Sequence, residues 1–161
     1  MDNNQIAEGL KDIMKGLPIP LTIVTAKKGL VKRGITVSSF TTLSMHPPLI
    51  TFNIECSSQF CQFFEAIENF AVHFPSQKHL ELCMRFATSG LTSQEQFLDI
   101  KNFENKYGVP VLNEISSKIY CKVKEKIRVA DHYILIGKVL ETCNTKEEKG
   151  CFLPGRVSLG V

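Results

Sequence analysis

A strand that ends in a run of hydroxyl side chains, followed by two consecutive prolines, constrains this chain more than any other stretch. Apolar and hydroxyl residues alternate from Ile35 to Ser39, which is typical of a half-buried strand, and Pro47-Pro48 then interrupts the backbone. Hydroxyls clustered at a strand end can bind a small polar ligand, especially an anion such as phosphate, together with free backbone N–H groups. A buried strand whose hydroxyls satisfy the local backbone is the alternative, and the spacing by itself favours that alternative.

Periodicity along the rest of the chain predicts a mainly β protein with short helices at the connections between strands. The predicted strands are residues 21–26, 32–39, 49–54, 69–74, 119–129 and 132–141, and the predicted helices are residues 4–16, 57–67, 78–87 and 93–97. Thr92 and Glu95 form a capping-box pattern at the last of these helices. Few connections resemble βαβ crossovers, so we expect an antiparallel, barrel-like sheet of about six strands rather than a doubly wound fold.

The last two predicted strands show the clearest alternation. In residues 119–129, one face carries Ile119, Cys121, Val123, Glu125, Ile127 and Val129, and the other carries Tyr120, Lys122, Lys124, Lys126 and Arg128. We therefore predict a long strand with one strongly basic, solvated face. In the following strand, Tyr133, Leu135 and Gly137 are predicted to face opposite to Ile134 and Ile136.

Composition and charge argue against several classes of protein. The 161 residues are 43% hydrophobic and 22% charged, which is ordinary for a globular protein and fits one domain over residues 1–161. A net charge of +3 without a basic stripe argues against nucleic-acid binding, and no apolar run is long enough to span a bilayer. The start Asp2-Asn3-Asn4 is unlike a signal peptide, so we expect a cytoplasmic protein.

Motifs that carry chemistry are few. The six cysteines form no C-x-x-C and have no histidine at a zinc-finger spacing, so we expect reduced structural thiols and no metal site. There is no glycine-rich phosphate loop of the Rossmann or P-loop kind, and the carboxylates show no acid and base pair. His132 follows Asp131 at the start of a strand, where Asp131 either orients the imidazole or turns the chain. Judged alone, that position favours a structural role for His132.

Five motifs, in order along the chain, carry a resemblance to a known family. They are GITVSSFTTLSMHPPLITFNI (34–54), FAVHF (70–74), RFA (85–87), VPVL (109–112) and DHYILIGKV (131–139). Together they resemble the flavin reductase-like family of FMN-binding split-barrel proteins. The resemblance implies an antiparallel split β-barrel and a homodimer. Each barrel is expected to bind FMN, or less often FAD, near the subunit interface and to use NAD(P)H as co-substrate.

The resemblance also implies roles for individual residues. The isoalloxazine ring and ribityl chain are expected to contact Thr36, Val37, Ser38 and Ser39. The other side of the flavin is expected to be covered by Asn53, Ser57, Ser58 and Gln59. Arg85 and Phe86 match a segment that reaches the flavin phosphate and tail. His132 matches the catalytic histidine at the mouth of the site, near where nicotinamide stacks.

Three hypotheses about function follow. The first is an FMN-dependent NAD(P)H:flavin oxidoreductase, which takes hydride from a nicotinamide and passes electrons to free flavin or to a partner monooxygenase. The second is an FMN-binding electron carrier or redox sensor without turnover, and the third is a barrel that binds no flavin and serves as a binding module. No motif chooses between NADH and NADPH. The ending CFLPGRVSLGV (151–161) lacks the aromatic-rich end common in the family's reductases.

Overall fold

Eleven strands and four α-helices make up the part of the chain that the structure, a computed structural model, describes: residues 2–145 and the backbone of residues 151–152. The strands are β1 (Ile19–Pro20), β2 (Thr22–Lys28), β3 (Val31–Val37), β4 (Thr41–Met45), β5 (Pro48–Glu55), β6 (Asn69–His73), β7 (Asn102–Glu104), β8 (Pro110–Leu112), β9 (Lys118–Val129), β10 (His132–Cys143) and β11 (Cys151–Phe152). The helices are α1 (Asn3–Lys15), α2 (Gln59–Glu65), α3 (Leu80–Ala87) and α4 (Ser93–Phe97). The rest of the atypical ending, residues 153–161, lies outside the described residues.

Seven of these strands form one antiparallel sheet in the order β3-β2-β6-β9-β10-β5-β4. The prediction of a mainly β, antiparallel fold with short helices is therefore confirmed. Strand β4 was not predicted, because its five residues are mostly exposed and include only two apolar residues, Leu43 and Met45. Within the described residues, the ladder pairings leave β3 and β4 as the two edges of the sheet.

One face of the sheet encloses the main hydrophobic core. Its buried members come from six strands, α2 and the turn after α2: Val24, Ala26, Val37, Ile50, Phe52, Ile54, Phe60, Cys61, Phe64, Ile67, Phe70, Val72, Cys121 and Leu135. Phe52 lies against both Phe64 and Phe70 with its ring edge-on, at centroid distances of 6.4 and 5.6 Å. Because Val37 at one edge of the sheet and Ile54 near the other enter the same cluster, the sheet is strongly curved around this core.

A register shift between β9 and β10 corrects the predicted facing of β9. The partner of Ile136 is Glu125, whereas the partner of Gly137 is Val123, so Lys124 is the extra residue of a bulge. A shift of one residue exchanges the two faces of a strand. Beyond the bulge, Lys126 and Arg128 therefore lie opposite the inward-facing Leu135 and Tyr133, and the remaining apolar residues of the strand, Ile127 and Val129, face outward. The predicted facing of β10 is confirmed.

Side chains of α4 cover the outer edge of β3. The Gln96 amide is fully buried, and its Nε2 donates to the Gly34 carbonyl at 3.0 Å while its Oε1 accepts from the Gly34 N–H at 3.2 Å. The Ser93 hydroxyl donates to the Lys32 carbonyl at 2.7 Å. An edge strand presents unpaired backbone groups, and here a short helix supplies the partners that another strand would.

Helix α1 confirms the predicted opening helix, and its apolar side is not buried by the rest of the described chain. Asp2 caps the helix through its side chain, which accepts from the Gln5 N–H at 2.8 Å. Ile6, Leu10 and Ile13 are each more than half exposed.

None of the described helices is long and apolar enough to cross a membrane.

Candidate active site

A cavity of about 380 Å³ opens where β3 ends, and it is the feature around which the predicted site residues gather. Its walls come from the end of β3, the end of β5, the residue that caps α2 and the first residue of β10. The lining residues are Ile35, Thr36, Val37, Ser38, Ser39, Asn53, Ile54, Glu55, Ser58 and His132. These segments are far apart in sequence and meet because β5 pairs with both β4 and β10.

Most of the site residues predicted from the sequence line this cavity: Thr36, Val37, Ser38, Ser39, Asn53, Ser58 and His132. Ser57 and Gln59 are the sequence neighbours of Ser58, and they do not line the cavity. Arg85 lies elsewhere, in a separate cavity of about 200 Å³, where its guanidinium donates to the Leu98 carbonyl. The side chain of Phe86 is fully buried and does not line this cavity, and its contact with the flavin tail stays a prediction.

The Phe86 ring packs against β3 at Gly34 and supports the strand. A Cβ atom on Gly34 would lie 2.4 Å from two carbons of the Phe86 ring, so the ring can lie against the strand only because residue 34 has no side chain. Thr36 joins the same support, since its hydroxyl donates to the Cys83 carbonyl of α3 at 2.6 Å. Helix α3 therefore fixes the strand whose end lines the cavity.

The serines at the cavity differ in how their hydroxyls are used. The Ser39 hydroxyl accepts from the Asn53 N–H at 2.9 Å and ties the end of β3 to β5. The Ser58 hydroxyl accepts from the Phe60 N–H at 3.2 Å and caps α2, which leaves its own proton to donate. Ser38 is exposed, and within the described residues its hydroxyl has no protein partner. Ser38 and Ser58 are thus the hydroxyl donors available to a ligand.

Glu55 is a cavity residue inside the segment 53–59 that was predicted to cover the flavin, although the sequence assigned it no contact of its own. It is the partner of His132 in the β5–β10 ladder, and its carboxylate accepts from the Ser57 hydroxyl at 2.7 Å. The available signal was alternation along β5, because residues two apart share a face and Asn53 was already predicted to line the site.

His132 is paired with a carboxylate from its own turn. Its Nδ1 lies 2.9 Å from Oδ1 of Asp131, and the imidazole is about half exposed. This hydrogen bond lowers the pKa of the Asp131 carboxyl below its ordinary value. The Asp131 contact engages Nδ1 and leaves Nε2 of this cavity-lining residue without a hydrogen bond to the described chain.

The five cysteines whose side chains the structure describes do not line this cavity. Cys56, Cys61, Cys83, Cys121 and Cys143 are free thiols. Burial raises the pKa of Cys83 to about 11 and that of Cys121 to about 12, so both are protonated at neutral pH.

The cavity fits the ring and ribityl part of a flavin. Ile35, Val37 and Ile54 provide apolar surface for a flat ring, and Ser38 and Ser58 provide hydroxyl donors. The described lining includes no lysine or arginine, so the charge of a flavin phosphate must be met outside these walls.

Comparison with known proteins agrees with this geometry. The family model for the flavin reductase like domain matches residues 14–156. The chain is 33% identical over 142 residues to the actinorhodin polyketide dimerase of Streptomyces coelicolor, covering 88% of this chain and 77% of that protein. It is 30% identical over 138 residues to the NADH:FMN oxidoreductase of Rhodococcus erythropolis, covering 85% and 70%. The chain therefore belongs to the flavin reductase-like family.

Solved structures agree with the same assignment. The crystal structure of the flavin reductase HpaC complexed with NADP⁺ matches with a TM-score of 0.86 and 27% identity, over 95% of this chain and 97% of that one. The flavin reductase PheA2 in its native state matches with a TM-score of 0.83 over the whole of this chain, at 22% identity, which supports the fold.

Proposed function

We propose that this protein is an NAD(P)H-dependent flavin reductase. The observation that carries the proposal is the meeting, in one cavity, of the strand-end hydroxyls of β3, the cap of α2 and His132, in a chain of the flavin reductase-like family. Relatives named NADH:FMN oxidoreductase and a neighbour crystallised with NADP⁺ support a nicotinamide as the hydride donor. Another relative in the family is named a polyketide dimerase rather than a reductase.

In this proposal the protein supplies position rather than acid–base chemistry. A bound flavin itself provides the hydride acceptor. The apolar wall formed by Val37, Ile35 and Ile54 would hold the ring, and the Ser38 and Ser58 hydroxyls would donate to its polar edge and ribityl chain. His132 at the mouth would orient the nicotinamide. Arg85 stays a candidate for the phosphate on the resemblance alone, because it does not line this cavity.

An anaerobic visible spectrum of the FMN-reconstituted protein, recorded before and after adding NADH and then NADPH, tests this function. We expect the flavin bands to bleach at a rate far above that of free FMN with the same nicotinamide. Flavin that stays bound but is not bleached by either nucleotide would instead favour the carrier or sensor. Protein that retains no flavin would contradict the proposed site.

A flavin-dependent monooxygenase is the proposed electron acceptor besides free flavin. The reductase subunit HsaB of a flavin-dependent monooxygenase from Rhodococcus jostii is 28% identical to this chain, over 80% of the chain and 65% of that protein.

We further propose that the chain forms one domain that closes into a split barrel and acts in the cytoplasm. The Ser39–Asn53 hydrogen bond and the shared core of Val37 and Ile54 support the closure.

We also propose a homodimer, formed through the outer face of β9 and β10. Ile127 and Val129 are 38% and 50% exposed, and Ile127 pairs with Ile134. The same face carries His132 and Asn53, the ladder partner of Ile134. The apolar area is thus continuous with the cavity.

Sedimentation of wild type and Ile127→Lys tests this interface. We expect a wild-type dimer, a monomeric Ile127→Lys variant and weaker flavin retention in that variant. Leu30→Lys is the matched control, because Leu30 is 95% exposed in the β2–β3 turn, and it should remain dimeric. Monomeric wild-type protein would contradict the proposal.

A further inference from the structure

The turn between β9 and β10 holds a carboxylate, Asp131, to which the proposed function gives no role of its own. Asp131 is exposed, and its Oδ1 lies 2.9 Å from Nδ1 of His132, which is hydrogen-bond distance. Its backbone is also fixed, because the Asp131 carbonyl accepts from the Cys56 N–H at 2.8 Å. The loop that begins with Cys56 ends at Ser58, which caps α2 and lines the cavity. The carboxylate is therefore held in a defined place relative to the cavity mouth.

The other charged group that faces His132 is engaged elsewhere. Glu55 lies directly across the β5–β10 ladder from His132, but its carboxylate accepts from the Ser57 hydroxyl. On the β9 side the ladder partner is the apolar Val129, and the described cavity lining contributes no cation. Among the described residues, Asp131 is thus the one that makes a side-chain hydrogen bond to this imidazole.

A neutral imidazole carries its proton on one nitrogen, and the hydrogen bond made by one nitrogen decides the state of the other. A carboxylate is acceptor only, so contact with Asp131 favours the tautomer with the proton on Nδ1. Nε2, the ring nitrogen that Asp131 does not contact, is then an acceptor, and His132 lines the cavity. The carboxamide of a nicotinamide has an NH₂ group that needs an acceptor.

We propose that Asp131 is a positioning residue, which holds His132 with Nδ1 protonated so that Nε2 accepts a hydrogen bond from the carboxamide of the nicotinamide. This inference rests on the proposed function in one respect: the proposed function identifies the hydrogen-bond donor to Nε2 as a nicotinamide. The orientation of the imidazole itself does not depend on that function. Glu55 is not assigned this role, because it makes no contact with the ring.

The first test is the tautomer of His132, observed by long-range ¹H–¹⁵N correlation NMR of the full chain with FMN bound, at a pH where the ring is neutral. The His132→Ala spectrum identifies its signals among those of the four histidines. We expect Nδ1–H in wild type and in Asp131→Glu, and a shift toward Nε2–H in Asp131→Ala. An Nε2–H tautomer in wild type, or an unchanged tautomer in Asp131→Ala, would overturn the proposal.

The second test is rapid-mixing reduction of the bound FMN by NADH or NADPH without oxygen. Asp131→Ala should raise the nicotinamide concentration at half-maximal rate about tenfold while FMN retention and thermal midpoint stay at wild-type values, and Asp131→Glu should restore much of the loss. Glu55→Gln removes an equal charge from the same mouth without touching the ring. An equal increase in both variants would attribute the effect to charge and overturn the positioning role. Absence of reduction in wild type would instead contradict the proposed function, and the NMR result would still decide the imidazole orientation.

Discussion

Two parts of the β3 segment are built in opposite ways: the covered end, which reaches Gly34 in the middle of the strand, and the open end, Ser38 and Ser39 just beyond Val37. At Gly34 the strand is covered: the Phe86 ring lies on it, and the buried Gln96 amide satisfies both backbone groups of the glycine. At Ser38 and Ser39 the same strand opens onto the cavity, and its hydroxyls are exposed or half exposed. The covered end can tolerate little change, because close packing and full hydrogen bonding leave no room for it. The open end keeps donors for a ligand because the covered end holds the strand in place.

The largest expected effect comes from adding one methyl group at the covered end. Gly34→Ala would place a Cβ atom 2.4 Å from carbons of the fully buried Phe86 ring, and overpacking of this kind costs about 3 kcal/mol of unfolding free energy. Urea unfolding and FMN titration should both show the loss. Gly9→Ala is the matched control, because no atom lies within 4 Å of its added Cβ on the exposed helix α1, and helix propensity predicts a small gain in stability. A Gly34→Ala variant as stable as wild type would contradict the described packing.

The next effect concerns hydrogen bonding at the same end. Gln96→Leu removes both partners of Gly34 and leaves a buried N–H and a buried carbonyl unpaired, which should cost about 2 kcal/mol of unfolding free energy. Gln96→Glu keeps an acceptor for the N–H and should lose less near pH 5 than at pH 8, because a protonated carboxyl can also donate to the carbonyl. Urea unfolding at the two pH values measures both. Equal losses at both pH values would show that the side-chain bonds do not hold the edge of β3.

A buried histidine behind the strand predicts a pH dependence. His73 is fully buried, its Nδ1 donates to the Ile23 carbonyl at 3.0 Å and its Nε2 accepts from the Leu112 N–H at 3.1 Å, so the ring is held neutral. Burial lowers the pKa of His73 from 6.5 to about 3. Between these values the unfolded chain binds a proton that the folded chain does not. The stabilisation that neutral His73 contributes is therefore complete above pH 6.5. As the pH drops below 6.5, the unfolding free energy decreases by about 1.4 kcal/mol per pH unit.

Urea unfolding between pH 8 and pH 5 measures this slope before most carboxylates titrate. A His73→Gln variant gives the comparison, because it removes the buried imidazole and should lose this slope. A flat wild-type profile from pH 7 to pH 5 would contradict a neutral, buried His73.

The open end of β3 could be predicted from the sequence much better than the covered end. Ser38 and Ser39 belong to a local motif, and alternation along one strand already indicates which residues share a face. Phe86, in contrast, lies in a segment that matched a flavin-tail motif, and its contact with Gly34 depends on how α3 packs against β3. The facing of Lys126 was wrong for a similar reason, because a bulge is a property of two paired strands. Local patterns predicted the elements, and contacts between distant elements decided which side chains reach the cavity.

The smallest expected change in stability separates the two serines. Ser39→Ala removes the hydroxyl that accepts from the Asn53 N–H, so it should lower the unfolding free energy by about 1 kcal/mol and loosen the join between β3 and β5. Ser38→Ala removes a hydroxyl without a protein partner in the described chain and should change stability by no more than about 0.5 kcal/mol.

FMN binding should show a different ranking of the same two variants. Ser38→Ala deletes a donor that only a ligand can use, so its FMN dissociation constant should rise about tenfold, as expected for one lost hydrogen bond of about 1.4 kcal/mol. Ser39→Ala should weaken binding through the looser strand end, and a Ser39→Thr variant, which keeps the hydroxyl, should recover both stability and binding. Flavin fluorescence titration alongside urea unfolding supplies both quantities. If Ser38→Ala bound FMN as wild type does, the ligand would have to depend on Ser58 and backbone donors, and the open end of β3 would serve as support rather than as binding surface.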